Sequence, residues 1–288
     1  MHEPPDILDA ALMPVRIAGT GRAGTAVGLA LRDGGISIRF MSRSNAGPID
    51  GIPVLGPGDK SPPLVPTITI LAVPDAAISA ALEDLVHRDL LGPDPVIGHL
   101  SGSMTSSGLT GAGFDGFSAH PLFSFPPANA RRRMPEGTSV LIEGSIRGAA
   151  VATSIFRCAR AATAQVDPAL KTRVHAAAVI AANLPAVLLW SSAGLLESAG
   201  VPDPVTVAAR LVRSMADNHI DFPATSSITG PMVRGDLATI RSNLEALDSA
   251  GTEPAALYRE TGRRLASLLH DTGRIDDRTC RQILEVLG

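Results

Sequence analysis

Val15-Arg16-Ile17-Ala18-Gly19-Thr20-Gly21-Arg22-Ala23-Gly24 reads as a short apolar strand that runs straight into a glycine cluster. The last six residues form the pattern G-x-G-x-x-G. The first glycine allows a tight turn, the second lets backbone approach a pyrophosphate, and the third lets a helix pack on the strand. Residues 22–33 then set Ala23, Val27, Ala30 and Leu31 on one helical stripe, and Gly34-Gly35 stops it. The start of such a helix offers unpaired N–H groups and a partial positive charge to phosphates. A dinucleotide on Gly19, Thr20, Gly21, Arg22, Ala23 and Gly24 is the functional reading; a glycine-rich structural turn is the bland one.

Further strands follow. Ile36, Ile38 and Phe40 alternate with other residues, 67–73 is β-branched and nearly all apolar, and 96–100 and 139–142 complete the pattern. Between them, Pro74-Asp75 opens a helix with Ile78, Leu82, Leu85 and Val86 inward. Strands alternating with helices imply a parallel, doubly wound sheet. A dinucleotide site for NAD carries an acid at the end of the second strand. Here that place reads Phe40-Met41-Ser42-Arg43-Ser44, without an acid. Arg43 suits a 2′-phosphate and the serines suit hydrogen bonds, so NADP(H) is favoured. Val73-Pro74-Asp75 and Ser101-Gly102-Ser103 follow neighbouring strands and are expected to line the cofactor and substrate cleft.

From about Asp167-Pro168 only helical stripes remain: 170–199, bent near Pro185, then 205–219, 236–247, 253–269 and 276–287. The expected fold is therefore α/β. A doubly wound Rossmann domain over 14–166 follows an arm at 1–13 and precedes an all-α domain at 167–288 for substrate and dimerisation. Residues 56–66 read as a proline-rich surface loop and Arg131-Arg132-Arg133 as a basic turn.

The chain has 288 residues, 45% apolar and 18% charged, with a net charge of −3. That excludes a disordered chain and gives no basic field for nucleic acid. Cys158 and Cys280 form no metal or redox motif, so no metal is expected and a cytoplasmic setting is the default. The apolar stretch 176–196 contains Asn183, Pro185, Ser191 and Ser192 and reads as a buried helix rather than a membrane span.

Lys171, His175 and Asn183 fall at i, i+4 and i+12 of the 170–199 helix, within roughly 60° of one another. Polar groups on such an apolar helix need partners. They either bond another part of the protein or meet a substrate carbonyl. His120, in Ala119-His120-Pro121, is read as a loop residue, structural or catalytic. In the run from Ser226 to Asp236, Ser227 and Arg234 are candidate substrate contacts. Arg234 suits a carboxylate, and Asp236 is a helix N-cap or a substrate ligand.

Taken together, the Gly19–Gly24 loop, Ser118-Ala119-His120-Pro121-Leu122, Val174-His175-Ala176-Ala177-Ala178-Val179 with Asn183, and Thr229-Gly230-Pro231 through Asp236 carry a resemblance. The chain resembles Rossmann-like proteins whose helical C-terminal module is a domain of unknown function. These lie in the 6-phosphogluconate dehydrogenase-like superfamily, near ketopantoate reductase and pyrroline-5-carboxylate reductase. The family pattern has Tyr before the His, where this chain has Val174. In the superfamily a Lys with an Asn one turn later acts on the substrate oxygen; Lys171 matches the Lys, and His175 stands in the Asn position. Ser227 and Asp236 resemble a serine and an acid used by ketopantoate reductases. The resemblance implies NADPH-dependent reduction of C=O or C=N in a small anionic substrate, a keto acid such as ketopantoate or an imine. Lys171 or His175 would donate a proton and Asn183 would orient the substrate. A homodimer through the helical domain is expected, with no membrane partner. The alternative is a non-catalytic NADP-binding sensor or scaffold.

Overall fold

The computed structural model describes residues 14–44, 47–59, 68–130, 133–222 and 225–288. The arm at 1–13, most of the 56–66 loop, and Arg131 and Arg132 lie outside the described residues. The chain divides into two compact units, one ending at Ala182 and the other beginning at Asn183. The division falls later than residue 166, so the helix carrying Lys171 and His175 goes with the sheet.

The first unit is built on eight strands: β1 (Val15–Ala18), β2 (Ile38–Met41), β3 (Val54–Leu55), β4 (Ile68–Leu71), β5 (Val96–His99), β6 (Asp115–Pro121), β7 (Ser139–Gly144) and β8 (Ala162–Gln165). Their order is β3-β2-β1-β4-β5-β6-β7-β8. The first six are mutually parallel, β7 runs antiparallel to β6, and β8 is parallel to β7. The order reverses between β1 and β4, which opens a crevice beyond their carboxyl ends.

β1, β4 and β5 are buried at every position, as parallel strands covered on both faces must be. Alternate residues feed two cores. Ile17, Phe40, Ile70 and Phe117 pack with Val27 and Leu31 of α1 (Arg22–Asp33) and with Ile155 and Phe156 of a helix at Ile146–Cys158. Ala18, Met41, Leu71 and Ile97 pack with Ile78, Leu82 and Leu85 of α2 (Ile78–His87) and with Leu109 of α3 (Ser107–Gly111). The Ile146–Cys158 helix is α4, and α5 (Lys171–Ala182) ends the unit.

Several expectations change. His120 lies on β6 and not in a loop. β3, β6, β8 and α4 are additions to the expected elements, although α4 sets Ala149, Ala152, Ile155 and Phe156 on one buried helical face. Val86 is 53% exposed rather than inward. Pro74-Asp75 opens a 3₁₀ turn (Asp75–Ala77) before α2.

The second unit holds α6 (Pro185–Ser198), α7 (Pro204–Asp221), α8 (Leu237–Ala250), α9 (Thr252–Asp271) and α10 (Asp277–Leu287). The expected 170–199 helix is thus two helices, because Pro185 lacks an N–H and starts α6 at its first position. Asn183 falls in the intervening turn. Ile240, Leu244, Ala266, Leu269, Ile283 and Leu287 form the core of α8–α10. The expectation of a buried apolar helix fails within this chain. Pro168–Ser198 is long and apolar enough by length and composition to cross a bilayer, yet only 6% of its most apolar window is buried. Val187, Leu188 and Trp190 of α6 and Leu211, Met215 and Ile220 of α7 are exposed.

Gly98 of β5 pairs in register with Phe117 of β6, and the Phe117 ring occupies the space a Cβ at Gly98 would take. Phe117→Ala therefore leaves a void at the centre of the sheet. It should lower the unfolding free energy by about 3–5 kcal/mol, measured by urea titration.

Candidate functional site

The glycine loop is shaped by close approach. Gly19 sits at φ +122°, and a Cβ there would collide with the Ala72 carbonyl. A Cβ at Gly24 would strike the Gly19 carbonyl and come within 2.9 Å of the Ala72 Cβ. Gly21 differs from both. Its φ of −71° suits any residue, and a Cβ would meet nothing within 4 Å. The protein's own packing does not require glycine at 21. Gly21 instead faces a cavity of about 820 Å³ lined by Gly19, Met41, Ser42, Arg43, Ser44, Val73 and Pro74 among others. It is also the N-cap of α1 and offers no side chain to the first-turn N–H groups, which leaves them for a ligand. An open backbone wall beside a helix start fits a dinucleotide diphosphate, and the cavity volume falls in the range of ligand sites.

At the far side of this cavity Ser42 N–H donates to Leu55 O at 2.9 Å, which holds the loop after β2. Thr20 Oγ1 donates to Ser42 Oγ at 3.4 Å, and Ser44 N–H to the same oxygen at 3.3 Å. Arg43 is exposed and has no hydrogen-bond or ion-pair partner among the described residues. Arg88, a lining residue the sequence reading missed, is already paired with Asp84 at 3.2 Å.

Beyond β5 and β6 lies a polar cluster. Lys171, first residue of α5, is 2% exposed. Its Nζ donates to Ser118 Oγ at 2.6 Å and Ser101 O at 3.2 Å, with Glu143 Oε1 at 4.0 Å. Glu143 accepts from Ser106 N–H and Oγ at 2.8 Å each. Asp75 Oδ2 accepts from Ser101 Oγ at 2.9 Å and Ser103 Oγ at 2.8 Å. His99 accepts from Ser101 N–H through Nδ1 and faces Thr105 O through Nε2, each at 3.2 Å. This fixes the neutral tautomer with its proton on Nε2.

His120 and His175 meet edge to face with ring centroids 5.6 Å apart. Both crowd Gly102: a Cβ there would collide with His175 Nδ1 and come within 2.7 Å of His120 Nε2. His175 Nδ1 is buried and has no hydrogen-bond partner in the described structure. Burial, helped by Lys171 and the neighbouring His175, pushes His120 down to about 4, against the opposing effect of Asp75. Burial likewise lowers Lys171, while Glu143 and Asp75 act the other way.

The fold thus brings Ser101, Gly102, His120, Lys171 and His175 together, with Lys171 beneath the surface. Sequence reasoning missed Glu143 and His99, which sit on strands where a buried charge gives no periodic signal. The remaining candidates belong to the second unit. Asn183 is exposed in its turn, Ser227 lies in a 3₁₀ turn (Thr225–Ser227), and Arg234 is exposed. Both carboxylate oxygens of Asp236 bind Thr239, at 3.1 Å to N–H and 2.7 Å to Oγ1, so Asp236 caps α8. Among the described residues no group of three or more His, Cys, Asp and Glu is arranged to hold a metal ion.

Residues 138–265 match the model of a family described as Domain of unknown function (DUF2520). The whole chain is similar in structure to a Bacteroides fragilis protein provisionally named an NADP oxidoreductase, with TM-score 0.69 and 20% identity over 96% of this chain and 99% of that one. It is similar to the Thermotoga maritima protein TM1727, with TM-score 0.62 and 24% identity over 94% and 98%. It is also similar to Plasmodium falciparum pyrroline carboxylate reductase, solved with NADP bound, at TM-score 0.57 and 10% identity over 96% and 100%. No curated protein matches the chain in sequence. The chain is a Rossmann-fold protein with a helical C-terminal region, and part of it, residues 138–265, matches the DUF2520 model.

A neutral, partly buried His120 leaves a signature in stability. Its folded pKa of about 4 lies below the unfolded value of 6.5. Between those values the unfolded chain binds more protons, so stability falls as the pH drops from 6.5 to 4 and levels off below. Allowing for solvent screening, His120 should account for on the order of 1–2 kcal/mol of that loss. Urea unfolding of His120→Asn across this window should show a correspondingly flatter slope.

Proposed function

We propose that this chain is an NADPH-dependent reductase of a C=O or C=N group in a small anionic substrate. The observation that carries the reading is the cavity beside α1, where Gly21 is open for a reason internal packing does not supply and Arg43 has no partner among the described residues. The arginine and the hydroxyls of Ser42 and Ser44 suit a 2′-phosphate. The similarity to a reductase solved with NADP supports the same assignment. NADPH supplies the hydride when bound.

The chain's own part is to bind, orient and protonate. Pro74 lines the cofactor cavity, and its neighbour Asp75 holds the 101–103 turn, on which the His120–His175 pair is packed. His175, with a buried and unpartnered ring nitrogen, is the group we assign to the substrate oxygen or nitrogen. Among the second unit's own candidates Arg234 suits a carboxylate by its chemistry, Asn183 and Ser227 remain candidate polar contacts, and Asp236 is taken up by the cap of α8. A second copy of the chain is the partner we propose for the exposed apolar residues of α6 and α7, among them Trp190, Leu211, Met215 and Ile220. The free thiols of Cys158 and Cys280 accord with a cytoplasmic setting.

Calorimetry with NADPH and NADH tests the cofactor. Arg43→Glu should weaken NADPH about 10–100-fold, the worth of one or two charge-assisted hydrogen bonds, and leave NADH unchanged. Absence of NADPH binding by the wild-type protein ends the redox reading. NADPH oxidation with a panel of 2-keto acids and cyclic imines tests the substrate class. With the substrate so found, His175→Ala should lower kcat about 10²-fold without changing the NADPH affinity.

A further inference from the structure

Of 25 basic residues in this chain only two, Lys60 and Lys171, are lysines. One of the two is almost completely buried, held by three different strands or strand ends. Ser101 O belongs to the turn after β5, Ser118 Oγ to β6, and Glu143 to β7. Two hydrogen bonds and the nearby Glu143 carboxylate hold the amine inside the protein, and Lys171 does not line the cofactor cavity. Its place in the chain matters more than its reach. Lys171 opens α5, and His175 follows one turn later on the same face. The carbonyl that Lys171 grips precedes Gly102, the residue against which both imidazoles pack. One buried amine therefore fixes both walls of the gap in which the histidines meet.

We propose that Lys171 is a positioning residue of this site and not its proton donor: its amine binds the 101–103 turn and Ser118 to the first turn of α5 and so sets His175 against His120. A lysine suits this task where the chain otherwise uses arginine. A compact ammonium fits between a hydroxyl, a carbonyl and a carboxylate on three sides, whereas a planar guanidinium needs a wider slot. The proposal rests on the reductase reading only for its kinetic consequence. The charges facing His120 are Lys171 and His175 from α5 and Asp75 from the segment after β4. Those facing Lys171 are Glu143 from β7 and Asp75.

Acetic anhydride labelling, read by mass spectrometry at Lys171 in the folded full-length protein, tests the burial. Lys171 should react at least about tenfold more slowly than in urea-unfolded protein, with or without NADPH. Reaction at the unfolded rate, or protection that appears only with NADPH, makes Lys171 a cleft residue and overturns the proposal. In Lys171→Met the His120 imidazole signal, followed by NMR, should titrate about one unit higher than in the wild type. An unchanged midpoint in a folded variant also overturns it. Ser118→Ala keeps the lysine and removes one acceptor. It should speed acylation of Lys171 severalfold while the NADPH affinity stays within about twofold, and it decides the matter if Lys171→Met fails to fold. In a turnover assay Lys171→Arg should not restore the kcat lost in Lys171→Met, and the KM for NADPH should not move. Failure of the reductase reading would appear as absent NADPH binding or turnover and would leave the labelling and titration results intact.

Discussion

The first helix can lie close against β1 and β4 because its glycines carry no side chains. Gly24 rests on the Gly19 carbonyl and the Ala72 Cβ, and Gly28 has the Phe40 ring 2.6 Å from where a Cβ would stand. Past the end of α1, Gly34 is tight against the Cys158 carbonyl. This close contact points the start of α1 at the cavity and brings the loop after β2 across from it. A helix held a methyl's width further out would present its N–H groups to solvent. The helix dipole and the unpaired amides act only over the first turn, so the cleft's chemistry depends on this packing distance.

The second constraint is electrostatic. A lysine ammonium and a glutamate carboxylate stand together in the interior, both almost fully buried. Such a pair is costly unless every lone pair and proton is engaged. Here Ser106 supplies two donors to Glu143, and Ser101 and Ser118 supply two acceptors to Lys171. The network gathers β5, β6, β7 and α5 at one point. It also explains why His120 stays neutral: a buried imidazole beside a fixed positive charge resists a second one.

The helical unit follows other rules. α8, α9 and α10 bury a small core of their own, closed by Arg259 and Arg263 on the carbonyls at the chain's end. α6 and α7 instead pair with each other and leave Trp190, Leu211, Met215, Ile220 and Phe222 exposed. Apolar surface on this scale is unusual for a chain that meets only water.

Local chemistry in the sequence was enough for the strand–glycine–helix unit, the end of α1, a disturbance at Pro185 and the Asp236 cap. In each case a residue's own backbone preference or side-chain reach sets the outcome within a few positions. The loss of an acid after β2, and with it the lean toward a 2′-phosphate, was legible for the same reason. The polar cluster was not. Glu143, Ser106 and Ser118 lie far from Lys171 in the chain, and a buried charge on a strand has no periodic signature. Its meaning exists only once β6 and β7 pair antiparallel and bring Ser118 opposite Glu143. The sequence placed Lys171, His175 and Asn183 on one stripe, but packing separates them: the lysine is buried against Ser101, Ser118 and Glu143, the histidine meets His120, and the asparagine falls in a turn that Pro185 enforces. Helical spacing tells which side chains share a face, whereas burial depends on what the rest of the chain brings to that face.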